Sequence, residues 1–450
     1  MQNNQYEIDM CNGPIMSRLV AFSVPLMISG ILQLLFNAVD IIVVGKFSGN
    51  EALAAVGSTT ALISVFINLF MGISLGANVM AARYFASGKE DDTSEVVHTA
   101  ITTALISGIL MVFVGLFFSR GALSLMGTPD NVIDKSTLYM RIYFMGMPFF
   151  MVYNYGAAIL RAVGDTRRPL AYLLIAGVCN AVLNMILVIV FHMDVAGVAI
   201  ATVGSQCISC ILVVRCLCRT EGSYQLHLSG LHIHPVYLRK ILQVGLPAGI
   251  QMTLINFSNV LLQSSVNSFG SVAMAGYTAA NNIFSFFYIS INSVTQACMS
   301  FTSQNMGAKK PKRMDQVLVR CLILTLIVGV ALGSAGYFFG NGLLSVYTAD
   351  PDVIRHGMEI LSIGAPLYFL CAVMDLIPGA LRGMGHSAVP MVLSLIGTVG
   401  TRIIWIFGFF PRHRSLFYLF ISYPASWAAT ILLQACCYYF VRKNVHGSLK

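Results

Sequence analysis

Residues 19–45 read LVAFSVPLMISGILQLLFNAVDIIVVG. As a helix this stretch is ~40 Å long at ~1.5 Å per residue, enough to cross a hydrocarbon layer of ~30 Å. Two residues make it more than an anchor. Pro25 removes a backbone donor and is expected to kink the rod. Asp40 sets a carboxylate among Leu35, Phe36, Val39, Ile41 and Ile42. An Asp in the middle of a membrane helix costs ~2.5–3.5 kcal/mol on insertion scales, so such residues face a protein interior or a water-filled cavity. Gln33, Asn37 and Asp40 stand at i, i+4 and i+7, one polar stripe on an apolar rod. The stripe reads as a proton or cation site, or alternatively as a buried acid neutralised by a structural arginine.

The rest of the chain is built to match. Of 450 residues, 57% are hydrophobic and 10% charged, where a soluble domain carries ~25% charged residues. Breaks rich in charge, Gly or Pro divide the apolar sequence into twelve candidate spans. They run at about 17–45, 52–80, 94–118, 132–159, 169–192, 195–216, 240–267, 273–302, 316–339, 354–380, 388–410 and 416–441. This is an all-α polytopic membrane protein. Its expected layout is a cytoplasmic tail at 1–16, a six-helix bundle at 17–216, a linker at 217–239, a second six-helix bundle at 240–441 and a cytoplasmic tail at 442–450. The polar start of the chain has no apolar core and does not read as a cleavable signal.

The net charge of +9 could suggest nucleic acid, but the basic residues follow the membrane instead. Of 27 Lys and Arg, nineteen fall on the side of the two termini, six on the other, and Arg141 and Arg402 lie within spans. Cytoplasmic loops hold the Lys/Arg excess, so both termini are expected in the cytoplasm, with the positive charge touching anionic lipid. The eleven cysteines are scattered, and the Cys207/Cys210 pair sits on an apolar helix. There Cys packs as a small hydrophobe, so no metal site is expected. His227, His232 and His234 are expected to be solvated.

The two halves repeat each other. Pro25 and Pro247 are 222 residues apart, while AAILRAVGDTRRP (157–169) and GALRGMGHSAVP (379–390) align at an offset of 221. An even number of spans per half gives parallel repeats, whose substrate sites lie near the midplane. The repeat fails where it is informative. Asp40 maps onto Leu262, leaving Asn256, Asn259 and Gln263 as an uncharged stripe, and the second half's deep acid, Asp375, maps onto Asn154. Asp375 is either functional or neutralised by Arg402 or another buried base. Asn282, Asn292 and Gln296, with Asn281, are further candidates for cleft lining, because lipid offers buried amides no partner. Met- and Phe-rich runs such as FSFFYIS (284–290) suit varied organic cations, although most such residues pack helices or face lipid.

The stretches VPLMISGILQLLFNAVDIIVVGKFSG (24–49), ALAAVG (52–57), ILRAVGDTRRP (159–169), AGVAIATVGSQ (196–206) and GALRGMGHSAVP (379–390), taken in order, resemble the multidrug and toxic compound extrusion (MATE) transporters. The likeness is to the bacterial branch, within the wider group of multidrug, oligosaccharidyl-lipid and polysaccharide exporters. It covers about residues 15–440 and implies two six-helix bundles around a central cleft. It also implies export of organic cations driven by H⁺ or Na⁺. In relatives, the first-span Asp works with an Asn-x-x-x-Asp pair in the fifth span and a Thr in the sixth. Asp40, Asn180 and Thr202 match, but the second member of the pair is Asn184. One Asp with Asn180, Asn184 and Thr202 can carry a proton or gather oxygens around Na⁺. The acid of the tenth span in Na⁺-type relatives falls on Cys371, one helical turn before Asp375.

The ion-coupling candidates are therefore Asp40, Asn180, Asn184, Thr202 and Asp375. Candidate cleft residues are Gln33, Asn37, Asn256, Asn259, Gln263, Asn282, Asn292 and Gln296. The expected function is cation-coupled efflux of organic cations and drugs from a bacterium, by a monomer in the inner (plasma) membrane, with no cofactor beyond the coupling ion. Gain and loss of charge at Asp40 would favour different packings of the first bundle, with the Pro25 kink as the joint. The alternative is an exporter of a lipid-linked saccharide, peptide or metabolite on the same scaffold. No P-loop, nucleophile motif or convergent His/Asp/Glu group points to an enzyme.

Overall fold

The computed structural model of the protein describes residues 6–448. The expected tails at 1–16 and 442–450 include residues 1–5 and 449–450, which lie outside the described residues, as does Lys450 of the charge count. Among the described residues the chain is helical, with no strand. The helices are α1 (Ile15–Phe47), α2 (Gly49–Ala86), α3 (Glu90–Leu125), α4 (Asp130–Met145), α5 (Met147–Ala162), α6 (Arg167–Asn184), α7 (Asp194–Arg219), α8 (Pro235–Asn267), α9 (Ser271–Gly307) and α10 (Pro311–Phe338). They continue with α11 (Gly340–Ser345), α12 (Pro351–Gly364), α13 (Tyr368–Gly383), α14 (Ala388–Ser394), α15 (Thr401–Ile404), α16 (Leu416–Phe420) and α17 (Ser422–Ser448).

These helices make twelve rods. Among the described residues, eight spans are long and apolar enough to cross a membrane by themselves. A ninth is the pair α12 and α13, bent by 54° where Pro366 cannot continue the helix. The span expected at 132–159 is interrupted at Gly146, between α4 and α5, where Pro148 follows in the first turn of α5. Charges dilute α4, and amides dilute α8 and α9, so these rods are less apolar than their neighbours. Two spans loosen into π-helix, at Met185–Val190 after α6 and at Leu395–Gly400 and Trp405–Phe409 around α15. Such turns are rare and recur at functional sites.

Two compact units divide the chain. Among the described residues, one gathers Ile28–Gly249 with residues 6–9, and the other gathers Met10–Met27 with residues 250–448. The boundary between these units runs inside two helices. It cuts α1 and α8, the two 33-residue helices with an internal proline, just past Pro25 and Pro247. Both cuts fall at the 222-residue repeat offset. Proline weakens the rod by one hydrogen bond, and that is where each rod changes unit.

In the first unit, α2, α3, α4, α5 and α7 pack on one another, and α6 packs on α7. The start of α8 joins them through small residues. A methyl group at Gly72 would lie 2.1 Å from the Gly249 backbone nitrogen, and one at Gly76 would lie 2.1 Å from the Ile241 carbonyl oxygen. Gly72/Gly76 and Gly245/Gly249 are crossed small-xxx-small pairs, the device that brings membrane helices into backbone contact. The linker is docked onto α3 rather than solvated. His98 Nε2 accepts the His227 N–H at 3.1 Å, the Tyr237 hydroxyl donates to Asp92 at 2.5 Å, and His232 pairs with Glu95 at 2.7 Å. Glu7 accepts the Tyr224 hydroxyl at 2.6 Å.

In the second unit α9 is central, packed on α10, α12 and α13, with α17 on α13. Its core includes Phe287, Ile291, Leu361, Tyr368 and Trp427. Met10–Gly13 belong to this unit and are held by side chains. Asn305 donates to the Met10 carbonyl at 3.1 Å, and Arg313 donates to the Asn12 and Gly13 carbonyls at 2.7 and 3.0 Å. A buried polar chain crosses the unit. Arg382 donates to Gln251 at 2.7 Å, Gln251 donates to Ser394 at 3.0 Å, and Gln434 donates to the same hydroxyl at 2.7 Å. Arg382 is one of the nineteen basic residues counted on the side of the termini. It is buried, because the end of α13 carries it inside against Gln251.

Candidate ion-coupling site

The site is set by one glycine. Gly177 of α6 leaves room for the Phe36 ring of α1, and a methyl group at Gly177 would lie 1.8 Å from Phe36 Cε2. With the helices in that register, Asp40, one turn beyond Phe36, meets Asn184, two turns beyond Gly177. The Asn184 amide nitrogen donates to Asp40 Oδ1 and, at 3.3 Å, to Asn180 Oδ1. Asn180 and Asn184 are both buried. Asp40 forms no ion pair with any described residue, so the reading of a structural arginine beside it does not apply.

This geometry gives Asn184 a purpose that an Asp there could not serve. An amide donates to a charged carboxylate, and a hydrogen bond to a charged group contributes ~1.5–3 kcal/mol. A second carboxylate would instead repel the first. The Asn184 carbonyl oxygen is buried without a partner. Asn180 Oδ1 and the Asp40 carboxylate both accept from the Asn184 amide nitrogen; oxygens of this kind suit a hard cation, while Asp40 alone is the group that takes a proton. Among the described residues no group of His, Cys, Asp and Glu is arranged to hold a metal ion.

Other candidates separate. Thr202 turns its hydroxyl to the Val198 carbonyl at 2.9 Å, within its own helix. Gln33 and Asn37 are exposed on the α1 face that leads to Asp40, and Asn256, Gln263 and Asn282 are exposed in the second unit. Asn292 and Gln296 bond each other at 2.8 Å. Asn259 accepts from Arg402 at 2.7 Å. Asp375 lies within electrostatic reach of the Tyr288 hydroxyl and the Arg382 guanidinium. Arg402 is not its partner, because α15 directs that side chain to Ser258, Asn259 and Ser426. Asn154, the repeat counterpart of Asp375, donates to the Phe150 carbonyl of its own helix at 2.8 Å.

Three residues near Asp40 escaped the sequence reading. Tyr139 and Tyr143 of α4 stack with ring centroids 6.2 Å apart and lie within electrostatic reach of Asp40, with Gln206 beside Tyr143. The available signal was their i, i+4 spacing on a helix that also carries Arg141.

The sequence matches the MatE family over residues 25–186 and 247–407, one block in each half. The chain belongs to the MatE family. Its members are membrane transporters, and the two matched blocks begin at Pro25 and Pro247. The chain is 29% identical over 432 residues to the probable multidrug resistance protein YoeA of Bacillus subtilis (strain 168), covering 94% of this chain and 93% of that one. It is 27% identical over 392 residues to the probable multidrug resistance protein YpnP of the same strain, covering 86% and 87%. A solved structure described as MATE in complex with MaL6 superposes with a TM-score of 0.90 at 19% identity, covering 99% of each chain. The MatE fold is thus shared along the whole chain, including the bent rods.

Proposed function

We propose that this MatE protein is a secondary active exporter that exchanges H⁺ or Na⁺ for organic cations and other amphipathic drugs by alternating access. The carrying observation is that Asp40 meets amides and no base: its described partner is Asn184, with Asn180 behind. A carboxylate so placed has a charge to exchange, whereas one held by a guanidinium would not. The coupling ion leaves Asp40 as the organic cation arrives, and the two states of Asp40 favour different packings of α1 about Pro25. Multidrug resistance relatives support the substrate class. The protein works in the bacterial plasma membrane as a monomer with both termini cytoplasmic, in contact with anionic lipid. Asp375 has a structural role in this scheme, because the Arg382 guanidinium lies within electrostatic reach of it.

The test is efflux of a fluorescent organic cation in everted vesicles, with the pH and Na⁺ gradients imposed separately. Dye movement driven by one gradient is expected. Movement indifferent to both would remove the cation-coupled reading and move the protein to the saccharide or metabolite exporters.

A further inference from the structure

Arg402 stands on α15, between the π-helical stretches Leu395–Gly400 and Trp405–Phe409. The residue is 3% exposed. A guanidinium so deep ordinarily has a carboxylate beside it, because an unpaired buried charge is costly. Here every described partner is neutral. Nη1 donates to Ser258 Oγ at 3.1 Å and Asn259 Oδ1 at 2.7 Å, Nε donates to Ser426 Oγ at 3.4 Å, and the Tyr423 ring centroid lies 4.4 Å from Cζ. Nη2 donates to none of the described residues. The deep acid of this unit, Asp375, is within electrostatic reach of Tyr288 and Arg382 instead.

The surrounding donors point the same way. The Ser258 hydroxyl and the Asn259 amide nitrogen donate to no described residue, and Tyr277 adds a phenol within electrostatic reach of Arg402. A buried cluster that holds donors and a positive charge but no acid lacks an acceptor with negative charge. The internal repeat sharpens this. In the first unit an acid of the first span, Asp40, meets amides of the fifth. In the second unit a base of the fifth span, Arg402, meets Asn259 of the first. Arg402 is one residue from the counterpart of Asn180 at offset 221, and Asn259 is the counterpart of Asn37 at offset 222. The same pairing of spans recurs with the charge reversed.

We infer that the Arg402 pocket of the second unit binds an oxyanion, the carboxylate or phosphate of an organic anion or zwitterion, or the phosphate of a lipid. Arg402 presents a planar fork matched to either group, and Ser258 and Asn259 complete the donor set. The inference goes beyond cation efflux, since it assigns a second ligand class to a second site.

The test is titration calorimetry on the full chain in phosphatidylcholine nanodiscs, with 2-naphthoate and 2-naphthamide as probes that differ in charge alone. Wild type is expected to prefer the carboxylate by at least about tenfold, the effect of one charge-assisted hydrogen bond. Arg402→Gln is expected to reduce that preference to less than twofold, and Arg402→Lys to retain part of it. Equal binding of the two probes by wild type overturns the inference without any variant, as does an undiminished preference in Arg402→Gln. Native mass spectrometry of the same preparations separates the sources. A phospholipid retained by wild type and lost from Arg402→Gln assigns a lipid phosphate, and bare wild-type protein assigns a soluble anion. Tetraphenylphosphonium binding is expected unchanged in Arg402→Gln; its failure in wild type would count against the Asp40 reading and leave the Arg402 result standing.

Discussion

Replacing Gly177 by alanine should uncouple transport without touching the carboxylate. The added methyl would lie 1.8 Å from Phe36 Cε2, far inside contact distance, so either the ring turns away or α1 shifts against α6. Overpacking of this kind costs ~1–3 kcal/mol in stability. A shift of α1 also carries Asp40 off Asn184, removing a charge-assisted hydrogen bond of ~1.5–3 kcal/mol. At 1.4 kcal/mol per tenfold, the apparent affinity for the coupling ion should change about 10- to 100-fold, because the lost bond favoured the charged carboxylate. The assay is the ion dependence of dye efflux in vesicles with matched protein levels. Phe36→Ala should restore it in the double variant, because the methyl then fits where the ring was. A Gly177→Ala variant with wild-type ion dependence would refute the idea that this contact sets the site. So would a double variant no better than the single one.

Further expectations follow from other contacts. Gln251→Ala leaves the buried Arg382 guanidinium without its acceptor and should lower stability by about 1.5–3 kcal/mol, read as a lower melting temperature in detergent. Asp375→Asn should keep gradient-driven efflux, and loss of coupling with intact expression would return Asp375 to the ion-coupling set. The Gly230 carbonyl and the Glu95 carboxylate raise His232 above the ordinary histidine range. A raised value means the docked linker gains stability fully present below about pH 6.5 and lost as pH rises through the higher folded value. The protection factor for hydrogen exchange over residues 227–234, which divides out the intrinsic pH dependence of exchange, should therefore fall from pH 6 to pH 8, and His232→Gln should flatten that fall.

Much of the fold was legible because a bilayer writes length and apolarity directly into sequence, and the 221–222 offset exposed the two halves. The prolines were legible too, yet that each marks the place where a helix changes unit was not. That depends on which helices pack, and packing among uniformly apolar rods leaves little pattern in the sequence. At the site, Asp40 declared itself by its charge. Its contact with Asn184 joins residues 144 apart in the chain and came from resemblance rather than periodicity. Tyr139 and Tyr143 were hidden because an aromatic in a membrane helix is ordinary. The burial of Arg382 was not legible, because it depends on the end of α13 packing against Gln251. Arg402 was seen as deep, but which residues meet it could be read only from the fold.

The most direct measurement is binding of tetraphenylphosphonium to the purified protein while pH and Na⁺ are varied independently. If Asp40 exchanges a coupling ion for an organic cation, apparent affinity falls as one of those ions rises, and Asp40→Asn removes that dependence. An Asp40→Asn protein whose affinity still responds to the ion as wild type does would contradict the central claim.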